Sequence, residues 1–467
     1  MTKVLFIQDI LFEFIGPMQI SAVLKKEGHT CDLLIVSEEK NLIKKIKEIN
    51  PDIVAFSVMT GSHRTLIDIA NKIKKELNVL TVFGGPHATF YSNLIEEKGV
   101  DVICIGEGEY AMLELCNNFK KDITKIKNLW IKQNGKIIKN DIRPLIENLD
   151  DLPFLDRNLY YKRYKYLKIL PTKKIMTGRG CPYNCNFCFN HKLKEMYKGK
   201  GKYIRKRSVN NVISEILELK KQGDIKAIRF SDDTFTLHHD WLIEFLKEYK
   251  NKINLPFTCL CRVNEVDEEI VKKLKESRCV NVFIGLESGN EKIRNDILKK
   301  NISTKDIIRV GKLLHKYKIK FGTYNMFGNP TETIEDAIGT IKLNSKIKTD
   351  FPFSTILQPY PGTEIAEYAI QEGILPEDYN INNIGFMTDK SEMKLEKKKE
   401  ITNIHRFFYF GVKFPFLIPL IRILIKFPDN KLYYFIYKVG FAITRKNSFT
   451  LSFFDFIKIG WKLRKKL

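Results

Sequence analysis

The chain lacks an uninterrupted apolar run of about 20 residues with few charges, so a membrane-spanning helix is not expected. It also lacks any long biased tract, and with 44% hydrophobic residues it reads as folded rather than disordered. No basic, then apolar leader opens it, because Met1-Thr2-Lys3 runs straight into the strand-like Val4–Ile7. Nor do its nine cysteines suggest a disulfide framework. The number is odd, and Cys31, Cys104, Cys116, Cys259, Cys261 and Cys279 are scattered, several in apolar runs where a free thiol packs as a small hydrophobe. These features fit a reducing, cytoplasmic setting. Acid is scarce: 55 Asp plus Glu face 79 Lys plus Arg, a net charge of +24. Residues 390–467 alone hold 18 basic against 5 acidic side chains. That end suits an anionic membrane or nucleic acid, or is simply a solvated face in a lysine-rich chain. No recognisable RNA-binding module is appended, which sets nucleic acid aside.

At 467 residues, two or three domains are expected. In 1–145, the apolar runs Val4–Ile7, Thr30–Val36, Ile53–Val58, Val79–Phe83 and Val102–Ile105 read as buried parallel strands. Helical patterns lie between them, around 17–27, 40–49, 63–77 and 91–98. This alternation predicts a flavodoxin-like (Rossmann-type), doubly wound domain, which binds ligands at the carboxyl ends of its strands. The loops there contain Ser57 and Thr60, then Gly84, Gly85, Pro86 and His87, then Gly106 and Glu107. Paired glycines let backbone approach a bulky ligand closely. Ile123–Asn140 reads as a hairpin turning at Asn134-Gly135, and 146–170 as a linker.

Three cysteines stand apart. Cys181, Cys185 and Cys188 have CxxxCxxC spacing, with Phe187 directly before the third. A [4Fe–4S] cubane normally takes four thiolates. Three on one loop can hold three irons and leave the fourth open to a ligand that is not protein. The alternatives are three buried cysteines or a structural zinc site, although zinc usually shows paired CxxC or Cys/His ligands and only His191 is near. Around this loop, 171–377 reads as six strand–helix units: strands near Ile175–Thr177, Ala227–Phe230, Phe257–Leu260, Val280–Ile284, Lys320–Met326 and Ser354–Leu357. Such a partial (β/α)6 TIM-like barrel gathers polar groups at its strand ends, here Asp232, Asp233, Arg262 and Glu287. Pro330–Thr333 reads as a helix start. The C-terminal segment 378–467 is expected to be mainly helical. Its aromatic stretch from Phe407, broken by Lys413, Pro415, Pro419 and Arg422, suits either a cap on the barrel or a membrane-interface segment.

This order of motifs resembles the radical S-adenosylmethionine (SAM) enzymes that carry a cobalamin (B12)-binding domain, over roughly 1–375. The resemblance implies that Cys181, Cys185 and Cys188 hold a [4Fe–4S] cluster whose open iron is chelated by SAM. It places Phe187 near the adenine, gives Arg262 and Glu287 to SAM, and gives Asp232 and Asp233 a general active-site role. Ser57, Thr60, Gly84, Gly85, Pro86, His87, Gly106 and Glu107 fall to cobalamin. The DxHxxG motif that supplies a cobalt-ligating histidine in many methyltransferases is absent, so His87 is matched to the nucleotide tail. The resemblance further implies a 5′-deoxyadenosyl radical, an electron donor of flavodoxin or ferredoxin type, and most commonly C-methylation by way of cobalamin. Radical cyclisation, oxidation and carbon–carbon coupling stay open. Methylthiotransferases carry a second three-cysteine cluster, which Cys31, Cys104 and Cys116 do not match. A non-catalytic iron–sulfur protein would call for a fourth nearby cysteine and leave the barrel rim unexplained. The expected substrate is a small or lipid-like molecule, with peripheral membrane contact through 407–467.

Overall fold

The computed structural model describes residues 1–223, 225–381, 384 and 391–448. They divide into two compact units.

Among the described residues the first comprises 1–170, 193–205, Ile381 and Ile384. Its sheet runs β2-β1-β3-β4-β5-β6-β7. The strands are β1 (Lys3–Gln8), β2 (Thr30–Ile35), β3 (Ile53–Ser57), β4 (Leu80–Gly84), β5 (Val102–Cys104), β6 (Leu129–Gln133) and β7 (Lys136–Lys139). The first five are parallel and the last two add an antiparallel hairpin. The runs are apolar at every position because both faces are covered: Val4 and Phe6 enter one core, Leu5 and Ile7 the other. At the hairpin, Asn134 and Gly135 both have positive φ (51° and 73°), the type I′ geometry their sequence predicts. The pattern at 91–98 is no helix of its own; a short helix Pro86–Phe90 is followed by a 3-10 turn at Ser92–Glu96.

Residues 146–170 behave unlike a linker. Leu159, Tyr160, Tyr161, Tyr164 and Leu167 are buried in the core of the first unit. The Tyr160 hydroxyl donates to Gln8 Oε1 and accepts from the Phe14 N–H, and Tyr164 accepts from the Ile35 N–H at 2.7 Å. The rings of Tyr160 and Tyr164 can bury their bodies here because their hydroxyls find backbone or amide partners.

The second unit holds 171–192, 206–380 and 391–448 among the described residues. Six parallel strands, neighbours in space in chain order, span Thr172–Ile175, Ala227–Phe230, Phe257–Cys261, Cys279–Glu287, Lys320–Phe327 and Phe351–Ile356. The first strand ends at Ile175, earlier than its sequence suggested, so Thr177 already belongs to the rim. Helices Val209–Gln222, His239–Lys252, Glu268–Glu276, Thr304–Lys316 and Ile334–Lys346 follow the strands. The helix start expected near 330–333 is present: Thr333 and Asp336 form a capping box. Beyond the barrel, helices Lys398–Lys413, Ile418–Leu424 and Lys431–Ser448 pack Ile401, Ile404, Phe408 and Ile421 against Phe327, Ile341 and Ile356. Residues 398–448 are therefore a cap on the barrel flank. No helix among the described residues is long and apolar enough to cross a membrane. The basic stretch 449–467 lies outside the described residues.

Just before that capping box, Glu332 is buried and accepts the Gly328 and Asn329 N–H groups. Burial raises its carboxyl to about 8 against those hydrogen bonds. A raised acid contributes stability that is complete below its ordinary pKa and lost as pH climbs through the folded value. The thermal midpoint should fall between about pH 5 and 8, and fall less steeply in Glu332→Gln. Identical slopes in the two proteins would show that the buried carboxyl is not the cause.

Candidate cofactor sites at the strand ends

In the first unit the strand order reverses between β1 and β3, and ligands of such sheets bind at that switch point. Phe12, in the loop after β1, is 48% exposed, and Met59, in the loop after β3, is 38% exposed. They present apolar surface at the crevice mouth. Phe12 escaped the sequence reading; the switch-point rule, applied to β1, would have drawn attention to its loop.

Ser57 ends β3, Gly84 ends β4 and Pro86 opens the short helix. Two hydrogen bonds join these loops: the Val58 N–H to the Gly84 carbonyl (2.9 Å) and the His87 N–H to the Val58 carbonyl (3.1 Å). Gly85 has φ 95°, and a Cβ there would stand 3.0 Å from the Val58 oxygen. Its glycine is required by protein against protein. His87 is buried, paired through Nδ1 with Thr60 Oγ1 (3.1 Å) and stacked on His63. Burial, then His63, depresses it to about 3, so it is neutral. Gly106 lies under Tyr197, whose hydroxyl accepts the Glu107 N–H at 2.9 Å. The Glu107 carboxylate receives Arg205 in a bidentate pair (2.8 and 3.1 Å) and the Ile146 N–H. Of the residues matched to cobalamin, His87 and Glu107 thus tie the loops together. Ser57, Thr60, Gly84, Gly85, Pro86 and Gly106 surround them at the strand ends.

In the second unit the cysteine loop follows the first barrel strand. The Asn186 N–H donates to the Leu298 carbonyl (3.3 Å), and the Asn186 carbonyl accepts the Ile365 N–H (3.3 Å). Cys185 is buried, and the Arg262 guanidinium lies 3.8 Å from its sulfur. Asn190 donates to the Cys188 sulfur at 3.6 Å. Burial, Asp233 and the two other thiols push Cys181 up to about 11. A bound cation reverses that effect by favouring the thiolates. The three sulfurs lie within one another's electrostatic reach, and a set of three thiols fits a cluster that keeps one iron for a ligand that is not protein.

Arg262 also stacks on Tyr183, 3.6 Å from the ring centroid, and donates to the Lys300 carbonyl. Tyr183 donates to Glu265 at 2.6 Å. Glu287 ends the fourth strand with φ 65° and pairs with Lys300 at 2.7 Å, and that ammonium lies 5.7 Å from the Phe187 ring centroid. Cys185, Phe187, Arg262 and Glu287 therefore converge. Lys300 and Tyr183 join them, and no sequence motif marks Lys300. Asp232 is committed elsewhere: it accepts from the Thr177 N–H and hydroxyl and pairs with Lys206 at 3.4 Å. Asp233, pushed up by burial, is the member of the pair that faces the cysteine loop.

The Radical SAM superfamily profile matches residues 175–343 and the B12 binding domain profile residues 13–116. An uncharacterized methyltransferase of Pyrococcus horikoshii is 35% identical over 343 residues, covering 72% of this chain and 73% of the relative. The chain belongs to the radical SAM enzymes that carry a B12-binding domain. An anaerobic magnesium-protoporphyrin IX monomethyl ester cyclase of Rubrivivax gelatinosus is 26% identical, covering 83% of this chain and 72% of its own length. The cobalamin-dependent SAM radical enzyme OxsB, solved with aqua-cobalamin and SAM, has the same fold (TM-score 0.69, 14% identity, 99% of this chain and 75% of that one). The two α/β units expected from sequence are those of this family, and its cofactors are a [4Fe–4S] cluster, SAM and cobalamin.

The radical SAM enzyme's Lys300–Glu287 pair is nearly closed to water, with side chains 11% and 8% exposed. Removing one partner of a buried pair typically costs about 3–5 kcal/mol, because a lone charge is left behind. Lys300→Met should therefore destabilise strongly, and adding Glu287→Gln should recover most of the loss. Denaturant melts of all four proteins in a double-mutant cycle test this; additive losses would show that the pair is not coupled.

Proposed function

We propose that this enzyme methylates an unactivated carbon of a small organic substrate. The observation that carries the proposal is the gathering of Cys185, Phe187, Arg262 and Glu287 at the rim of a six-stranded barrel, in a chain that also has a B12-binding domain. When bound, the cluster supplies the electron that cleaves SAM to a radical, and cobalamin supplies a methyl carrier. The chain's own work is binding and orientation. Cys181, Cys185 and Cys188 would hold the cluster. Arg262 would pair with the SAM carboxylate and Glu287 with its ammonium or ribose. Phe187 offers a face to the adenine. The cyclase outcome is the second reading, favoured by the likeness to the Rubrivivax enzyme.

Anaerobic turnover with SAM, cobalamin, a flavodoxin or ferredoxin-type reductant and a lipid extract separates the two. Matched 5′-deoxyadenosine and S-adenosylhomocysteine indicate methylation; 5′-deoxyadenosine alone indicates cyclisation or coupling. Cys188→Ala should abolish both products. Neither product from protein with an intact cluster would remove the catalytic reading.

We further propose a peripheral membrane contact through the cap. Phe416, Ile423, Phe427, Leu432 and Phe435 are 54–76% exposed, with Lys426 and Lys431 exposed beside them. Aromatic and basic side chains together suit an anionic membrane interface. Phosphatidylglycerol vesicles should sediment the protein and phosphatidylcholine vesicles should not; equal sedimentation would contradict this contact.

A further inference from the structure

Glu265 stands three residues after Arg262 and gathers three hydroxyls. Its Oε1 accepts from Tyr183 at 2.6 Å, and its Oε2 accepts from Thr234 at 2.7 Å and from Thr236 at 2.8 Å. The donors come from two loops. Tyr183 lies in the cysteine loop, between Cys181 and Cys185, while the two buried threonines follow the second barrel strand, Ala227–Phe230. Donors on both oxygens fix the orientation of the carboxylate.

The backbone brings Glu265 and Arg262 to the same ring. Val263–Glu265 is a single 3-10 turn with Arg262 as its N-cap, and the Glu265 N–H donates to the Arg262 carbonyl at 3.0 Å. In such a turn, side chains three residues apart eclipse. The Arg262 guanidinium lies over the face of Tyr183, 3.6 Å from the ring centroid, and the Glu265 carboxylate takes the hydroxyl at its tip. Held by its face alone, the ring would be free to slide beneath the guanidinium; the hydrogen bond at the tip removes that freedom. A phenol that donates to a carboxylate also carries more electron density on its ring, which strengthens its attraction for the cation. The remaining contacts of Arg262, with the Lys300 carbonyl and the Cys185 sulfur, are made by its two Nη groups. The plane of the guanidinium is therefore set by the ring on which it lies.

We propose that Glu265 is a positioning residue for SAM: by fixing Tyr183 it sets the plane in which Arg262 meets the SAM carboxylate. The assignment rests on the radical SAM reading, with Arg262 as the carboxylate partner, and deepens it by naming what orients that partner. Glu265 acts through Tyr183 and is not itself a catalytic residue.

The test is SAM binding by the dithionite-reduced, anaerobically reconstituted full-length enzyme, followed by the change SAM causes in the electron paramagnetic resonance spectrum of the cluster. Glu265→Leu keeps the bulk and removes the acceptor, and it should weaken SAM binding about ten-fold. Tyr183→Phe keeps the ring and removes the donor, for a loss of about five-fold. Glu265→Gln still offers an oxygen to Tyr183 and should recover part of the loss. Because one hydrogen bond links the two side chains, Glu265→Leu should cost much less in the Tyr183→Phe background than alone. Iron and sulfide per chain should stay at the wild-type level throughout. If Glu265→Leu does not fold, Glu265→Gln takes its place in the cycle.

The inference is overturned if the single variants that fold bind SAM undiminished, or if their losses add. It is also overturned if iron is lost in step with SAM binding, as expected of a residue that only ties the loops together. Arg262→Gln separates this assignment from the reading beneath it. If Arg262→Gln binds SAM undiminished, Arg262 is not the carboxylate partner, and that reading falls and takes the assignment with it. If it binds weakly while the Glu265 and Tyr183 variants bind normally, the positioning assignment alone falls.

Discussion

The Arg262 guanidinium is the contact on which the second unit's site depends. One planar group stacks on Tyr183, lies beside the Cys185 sulfur and donates to the Lys300 carbonyl. It thereby fastens the cysteine loop to the segment that carries the Lys300–Glu287 pair. Lysine could not do this, since a point charge lacks the flat face and the fork of donors. The loop needs such a fastener because three cysteines in a short run specify spacing and leave orientation open. Asn186, bonded to both the Leu298 and Ile365 backbones, supplies the second hold.

The first unit solves a similar problem differently. Its strand-end loops are joined mainly by backbone hydrogen bonds and close glycine contacts, with few charges. Gly85 lets its loop meet Val58, and Gly106 leaves room for Tyr197. Glu107 is then drawn into the Arg205 pair. The apolar Phe12 and Met59 stay exposed at the switch point. A large, flat cofactor is matched by such a surface, which offers area and backbone more than directed side chains.

Much of this was legible in the chain itself. The continuous apolar runs specify strands covered on both faces, as Val4–Ile7 shows by feeding two cores at once. Asn134-Gly135 specified its turn, and Thr333 with Asp336 the start of a helix. Each of these signals is local: the residues that interact are neighbours in the chain. The 146–170 segment was misread because Leu149–Pro153 looks like a polar connector, while its later tyrosines bury only against a sheet more than a hundred residues earlier.

By itself, then, the sequence determined the two α/β units, the cysteine loop and the family to which they belong. Periodicity and spacing act over a few residues, and those features need nothing more. Only the tertiary structure decided which polar residues share a site. Asp232 and Asp233 are adjacent in the chain, yet one is taken up by Thr177 and Lys206 while the other faces the thiols. Lys300 reaches Glu287 across a loop, and Glu265 reaches Tyr183 from 82 residues further along the chain. Strand curvature and helix packing set those distances, and electrostatics follows distance in space with no regard to position in the chain.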